Sequence, residues 1–332
     1  MSKRNLTLQQ QRRISEKRLR EAIDPAEQLP ADEQLGVEQI GAVYARYGQQ
    51  ADIIDPEQPT APPKRCYLRA NLGSPVAGDR VVWRDGTPYG VVTALMPRHS
   101  VLERPDHNNQ PRPVAANIDL VCVVIAPEPE PHGNLIDRFL VAARLHDLEA
   151  ILVVNKTDLD TPHSGELDLL IELYRKLGYE VYPVSAKTGT GIPELTARLH
   201  DNYGILAGQS GVGKSSLINH LFPDIDARVG ELSTQKRKGK HTTTASHLYL
   251  LPEGGGVIDS PGIREFGLGH LPSNNLIEGF VELRPLLGQC QFRDCSHTQE
   301  PRCAIIAALE RGEVDPRRLA SLRHMEQAIF TR

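Results

Sequence analysis

The sequence predicts a multidomain chain: an all-β barrel of oligonucleotide-binding (OB) type, a central α/β domain built around a phosphate-binding loop, and a mostly helical zinc-binding tail. Three observations predict it. Residues 36–112 break into short strand-like runs separated by Gly, Pro and Asp turns. Residues 113–272 alternate continuous apolar runs with helical periodicity, the pattern of a parallel sheet covered on both faces. Residues 273–332 turn helical and gather Cys290, Cys295, His297 and Cys303.

A chain of 332 residues is long enough for two or three separate cores. Its net charge of −4 gives no global attraction to nucleic acid, so any such binding must come from local patches. Residues 1–35 form the first of these. Lys3, Arg4, Arg12, Arg13, Lys17, Arg18 and Arg20 face a single Glu16 before the stretch turns acidic, and large apolar residues are scarce. This reads as a disordered arm, either lying along phosphates or acting as a solvated tail. No apolar core follows the basic residues, so a signal peptide is not expected, and no run of 18 apolar residues predicts a membrane span. Five unevenly spaced cysteines do not make a disulfide framework, so a cytoplasmic protein is expected.

Within the barrel, strands are expected at 37–44, 51–54, 65–70, 80–83 and 89–95. Arg65, Arg69, Arg80, Arg84 and Arg98 are expected to be exposed and able to track an RNA backbone; an SH3-like barrel with a packing role is the competing reading. Beyond Pro113 the expected order is strand 118–125, helix 135–146, strand 150–154, helix 165–177, strand 180–184, helix 192–200 and strand 203–207. A helix after residue 214 and strands near 247–251 and 256–258 complete it.

The run Gly208, Gln209, Ser210, Gly211, Val212, Gly213, Lys214, Ser215, Ser216 fits G-x-x-x-x-G-K-[ST] between a strand and a helix. Its glycines let backbone N–H groups curl around a triphosphate at the positive end of that helix. Lys214 would reach the β and γ phosphates and Ser215 would ligate Mg²⁺. Asn155, Lys156 and Asp158 form N-K-x-D after one apolar strand, and Ser185, Ala186 and Lys187 form S-A-K after the next. In that placement the Asp158 carboxylate would accept from guanine N1–H and the 2-amino group, a donor pair that adenine lacks. Lys156 would cover the base, Asn155 would hold neighbouring loops, and a backbone amide of S-A-K would meet O6. Asp259 and Gly262 frame D-x-x-G, with Asp259 holding Mg²⁺ through water and the Gly262 amide sensing the γ-phosphate. A threonine of Gly239–Thr244, taken as Thr243, would complete the Mg²⁺ shell.

The order of these motifs is unusual. GTPases ordinarily begin with the phosphate loop and end with N-K-x-D and S-A-K, whereas here the last two come first. The motifs are circularly permuted, and the loop after D-x-x-G leads straight into the C-terminal segment. There Cys290-x₄-Cys295-x-His297-x₅-Cys303 offers four soft ligands, a set that suits a closed structural Zn²⁺ site; chance clustering of reduced cysteines is the alternative. Cys66 and Cys122 lie in apolar strands and read as core.

This combination resembles the ribosome-small-subunit-dependent GTPase family, RsgA (also called YjeQ or YloQ). The resemblance covers nearly the whole chain beyond the arm and rests on A-A-N-I-D at 115–119, N-K-T-D, G-Q-S-G-V-G-K-S-S, H-T-T-T at 241–244, D-S-P-G-I-R-E-F-G at 259–267 and the Cys/His set. It implies a GTP/GDP-binding hydrolase, expected to be a monomer, that matures the small ribosomal subunit, binds its rRNA through barrel and zinc segment, and leaves after subunit-stimulated hydrolysis. Ile263 stands where a water-orienting glutamine is found in Ras-like proteins, and the resemblance implies His241 for that role; an exposed loop residue or an rRNA contact is the other reading of it. The basic run 236–240 before it would order against rRNA phosphates. Gly211 occupies the position of the asparagine found in potassium-activated GTPases, which argues against potassium here. An RNA-binding scaffold with nucleotide as a structural ligand, and an ATP-using protein, are the alternatives in function.

Overall fold

The barrel closes around apolar residues that each of its five strands turns inward. In a computed structural model describing residues 35–105, 110–159, 161, 164–223, 246–260 and 273–330, the strands are β1 (Glu38–Tyr47), β2 (Gln50–Ile54), β3 (Lys64–Leu68), β4 (Arg80–Arg84) and β5 (Gly90–Leu95). They join in the order β1-β2-β3-β5-β4 and back to β1. The β3–β5 pair is parallel and the others antiparallel, giving an OB-like closed barrel rather than a simple meander. Val43, Ile53, Cys66, Val81, Trp83 and Val92 fill it.

The arginines expected to be exposed on the barrel are in part a correction. Arg65 makes a fork with buried Asp52, and Arg98 grips fully buried Asp79 through Nε and Nη2, both at 2.7 Å. Arg84 donates to the carbonyls of Gly36 (2.7 Å) and Leu35 (3.1 Å). The buried carboxylates of Asp52 and Asp79 need Arg65 and Arg98, and Arg84 ties β4 to the segment before β1, so the three side chains help hold the barrel together instead of facing solvent freely.

A hairpin that the sequence did not suggest, β6 (Val101–Pro105) and β7 (Pro111–Ala116), joins barrel to sheet, and the division expected at 112/113 falls inside β7. Its prolines hide it from strand patterning, yet a two-stranded ribbon tolerates proline at its edges. Asn117 (φ +55°) makes the junction: its side chain donates to Gly78 O (2.9 Å) and accepts from His99 N (3.1 Å).

The central sheet has the order β10-β9-β8-β11-β13-β12. Its strands are β8 (Leu120–Ile125), β9 (Glu149–Val154), β10 (Val181–Pro183), β11 (Tyr203–Ala207), β12 (His247–Leu250) and β13 (Gly256–Asp259); all run parallel except β12. The helices are α1 (Gly133–Leu145), α2 (Ser164–Lys176), α3 (Ile192–Leu199) and α4 (Lys214–Leu221). Apolar residues of α1 and α2 cover one face and those of α3 and α4 the other. Cys66 and Cys122 are buried, and burial pushes both thiols up to about 12, as suits inert core residues.

Two 3-10 turns (Ser273–Gly279, Arg284–Leu286), α5 (Ala304–Glu310) and α6 (Pro316–Phe330) form the C-terminal unit. Phe280, Leu283, Ile305, Leu319 and Met325 enter the same core as α1. Arg318, with no exposed surface, lies at that junction. Its Nε and Nη2 meet Glu282 (2.6 and 3.1 Å), its Nη1 meets Asp137 of α1, and its guanidinium stacks 4.5 Å from the Phe280 ring. Among the described residues no helix is long and apolar enough to cross a membrane.

Candidate nucleotide site and metal centre

The C-terminal ends of parallel strands bring their loops to one edge, and here that edge collects motifs far apart in the chain. β11 lies between β8 and β13, although it follows β8, β9 and β10 in sequence. The Gly-rich loop 208–213 therefore leaves the middle of the sheet and feeds the N-terminus of α4. Gly208 (φ +143°) and Gly213 (φ +95°) adopt backbone shapes that side chains resist. A Cβ on Gly208 would also lie 2.3 Å from Val124 O, and one on Gly213 2.3 Å from Asn155 Nδ2. Lys214 Nζ folds back over the loop to the carbonyls of Gly208 and Gln209, both at 2.7 Å. Gln209 and Val212 face the β8–α1 loop, Ser210 and Gly211 complete the turn, and Ser215 and Ser216 are exposed on the first turn of α4.

Asn155 directly follows β9, almost fully buried, and both ends of its amide are used. Nδ2 donates to Val212 O (2.9 Å), and Oδ1 accepts from Ala186 N (3.1 Å). One side chain thus ties the phosphate loop to both loops expected to read the base. Lys156 takes a left-handed conformation (φ +62°) and donates to Glu128 O (2.9 Å). Asp158 accepts from Ser185 Oγ (2.6 Å), with Lys187 Nζ at 3.8 Å from its other oxygen. The Ser185 hydrogen bond, with Lys187 adding to it, holds the Asp158 carboxyl below its ordinary range. An ionised carboxylate kept at this edge suits a paired N–H donor such as guanine presents.

Asp259 ends β13 next to the phosphate-loop strand, with Ile205 opposite Ile258, and pairs across to His247. His241, Thr243 and Gly262 lie outside the described residues, as do the arm 1–34 and the basic run 236–240.

The Cys/His set does converge. Cys290 Sγ lies 3.8 Å from Cys303 Sγ and 3.5 Å from His297 Nδ1, His297 Nδ1 lies 3.4 Å from Cys303 Sγ, and all four ligand atoms, Cys295 included, fall within 4.8 Å of one another. A tetrahedron with Zn–S near 2.3 Å and Zn–N near 2.05 Å has edges of about 3.8 Å (S···S) and about 3.5 Å (S···N). The residues fit that ion. His297 is held at φ +58°, and Glu300 closes the loop on Ser296 N (2.8 Å) and Thr298 N (3.0 Å).

Sequence reasoning missed two participants. The β8–α1 loop covers the phosphate loop, with Pro129 3.5 Å from where a Gly211 Cβ would sit. His220, on the last turn of α4, reaches the S-A-K loop, with Nδ1 3.0 Å from Ala186 O. Neither belongs to a motif, and only the three-dimensional convergence reveals them.

Residues 95–269 match the family model described as RsgA GTPase. The chain is 48% identical to the small ribosomal subunit biogenesis GTPase RsgA of Pseudomonas aeruginosa (strain LESB58), covering 98% of this chain and 97% of that protein. It is also 48% identical to the RsgA of Chromohalobacter salexigens over the full length of both. Among solved structures, YjeQ from Thermotoga maritima superposes with a TM-score of 0.73 at 31% identity, covering 89% of this chain and 100% of that one. YloQ, a circularly permuted GTPase, gives 0.69 at 26% identity, covering 91% and 98%.

Proposed function

This chain belongs to the RsgA GTPase family and is a GTP-hydrolysing enzyme, and on that premise we propose that it acts in late maturation of the small ribosomal subunit. Its relatives are named for biogenesis of that subunit. In this reading it binds the subunit through rRNA and is released after hydrolysis that the subunit stimulates, working as a monomer in the cytoplasm.

The observation that carries the nucleotide reading is Asn155. By bridging Val212 and Ala186 it sets the base-reading loops against the phosphate loop, as one guanine nucleotide spanning both requires. Asp158 selects guanine, Lys156 covers the base, and the amides of residues 208–216 cradle the phosphates. On nucleotide entry Lys214 exchanges its two loop carbonyls for β,γ-phosphate oxygens. A Mg²⁺ ion would neutralise charge between the β and γ phosphates, with Ser215 and Thr243 as direct ligands and Asp259 acting through water. Gly262 senses the γ-phosphate, and His241 orients the attacking water. One Zn²⁺ held by Cys290, Cys295, His297 and Cys303 would staple the C-terminal unit, since four protein ligands leave no open position for chemistry. With Arg65, Arg84 and Arg98 engaged in the barrel's own ion pairs and hydrogen bonds, its rRNA contacts fall to other groups, Arg80 among them.

The test is GTP hydrolysis with and without purified small subunits, in the wild type and in His241→Ala. Strong stimulation in the wild type, lost in the variant with GTP affinity retained, supports the proposal. Stimulation surviving in the variant removes the role given to His241, and no stimulation in either favours the scaffold reading.

A further inference from the structure

We infer that His220 is a positioning residue for guanine recognition, one that aims the S-A-K loop at the 6-oxo group of the base. The inference rests on the nucleotide site proposed above. His220 lies on the helix that starts at Lys214, yet its ring projects to the base-reading loop, with Nδ1 3.0 Å from Ala186 O. A carbonyl oxygen only accepts, so Nδ1 carries the proton. The ring also packs over Gly189 (φ +82°), where a Cβ would lie 3.3 Å from Cε1.

The consequence follows from peptide planarity. The Ala186 carbonyl and the Lys187 N–H belong to one rigid, trans unit and point in opposite directions. By holding that carbonyl toward α4, His220 turns the Lys187 N–H away from α4. The neighbouring amides are already used: Ser185 N donates to Thr190 O (2.9 Å), Ala186 N to Asn155 Oδ1 (3.1 Å), Thr188 N to Ser185 Oγ (3.1 Å) and Gly189 N to Ser185 O (2.8 Å). From Ser185 to Gly189, the Lys187 amide alone has no acceptor among the described residues. The loop thus keeps one donor in reserve, and His220 sets its direction. The same helix that begins in the phosphate-loop motif at Lys214 would therefore end by orienting a contact to the base.

The experiment compares affinities for GDP, ADP and 6-thio-GDP in the wild type, His220→Phe and His220→Asn. The 6-thio base keeps N1–H and the 2-amino group but offers a poor acceptor at position 6. Phenylalanine keeps a ring over Gly189 and cannot donate; asparagine can. The expected result is a loss of GDP affinity of roughly 3- to 10-fold in His220→Phe, the size of one neutral hydrogen bond. The variant should lose less than twofold for 6-thio-GDP, and His220→Asn should stay within about twofold of wild type for GDP. An equal loss for GDP and 6-thio-GDP would mean general loosening and overturn the inference, as would no loss at all. If the wild type does not prefer GDP to ADP, the nucleotide site itself is misread and the inference falls with it; wild-type preference with an unaffected variant sinks the inference alone.

Discussion

Replacing Arg318 by methionine tests what docks the C-terminal unit on the central domain. Methionine keeps much of the apolar stem but leaves two carboxylates, Asp137 (2% exposed) and Glu282 (8% for its side chain), without the cation between them. Removing one partner from a buried ion pair costs about 3–5 kcal/mol. Tyr174 Oη still donates to Asp137 (2.6 Å), which places the expected loss near the lower end. A loss of about 3–4 kcal/mol in local opening is roughly a 10²–10³-fold faster amide exchange across 316–330. Native-state hydrogen exchange of that helix is the assay. The pH dependence supplies a second criterion. Burial already pushes the Asp137 carboxyl above its ordinary 3.8 despite Arg318, and without the cation it rises further. A carboxyl raised in the folded state binds its proton more tightly there than when unfolded. The variant is therefore least impaired below about pH 4, and its deficit grows as pH rises toward neutrality. An exchange rate within threefold of wild type, or a deficit that shrinks as pH rises, would refute the reasoning.

Arg98→Ala should destabilise the barrel by about 2–4 kcal/mol by stranding Asp79, somewhat less than at Arg318 because Arg98 is 23% exposed; urea unfolding read by the single tryptophan, Trp83, reports it. Asp158→Asn should reverse base choice, because an amide can donate to the 2-oxo group of xanthine where a carboxylate repels it. Competition between GDP and xanthosine diphosphate measures this, and unchanged guanine preference counts against the role of Asp158. Chelation should release one equivalent of zinc, by elemental analysis, and speed exchange in 290–303 while GDP affinity stays within about twofold.

What the sequence made legible was chemistry confined to short spacings. The phosphate loop, N-K-x-D, S-A-K and the Cys/His set each need particular residue types a few positions apart, so the motifs stand out even with their order permuted. The strands of the sheet were legible because burial on both faces demands unbroken apolar runs such as Leu120–Ile125. The barrel arginines misled because a charge in or beside a strand looks alike whether it meets water or a buried carboxylate; Asp52 and Asp79 lie 13 and 19 residues from their partners. Arg318 and Asp137 are 181 residues apart, and no periodicity encodes such a pair. His220 was hidden likewise, since its partner is 34 residues earlier in another motif.

Permutation also changes how the appended units meet the nucleotide site. Read along the chain, the C-terminal unit follows D-x-x-G, which suggests that the switch loop alone connects it to the nucleotide. The fold adds a second route through α1. The loop leading into that helix accepts from Lys156 at Glu128 O and sets Pro129 beside Gly211, while one turn into the helix Asp137 holds Arg318 of the C-terminal unit. On the opposite side, Tyr44 and Tyr47 of barrel strand β1 pack edge-on against His247, which pairs with Asp259 in the β12–β13 ladder. Both appended units therefore rest on elements that also frame the loops around the nucleotide. A change in those loops need not travel along the covalent linker to reach either unit, because α1 and β12 each contact an appended unit and an element beside those loops. Cutting the α1 route with Arg318→Met while leaving the linker intact separates the two: a C-terminal unit that still responds to GTP versus GDP by hydrogen exchange assigns the response to the linker, and one that no longer responds assigns it to α1.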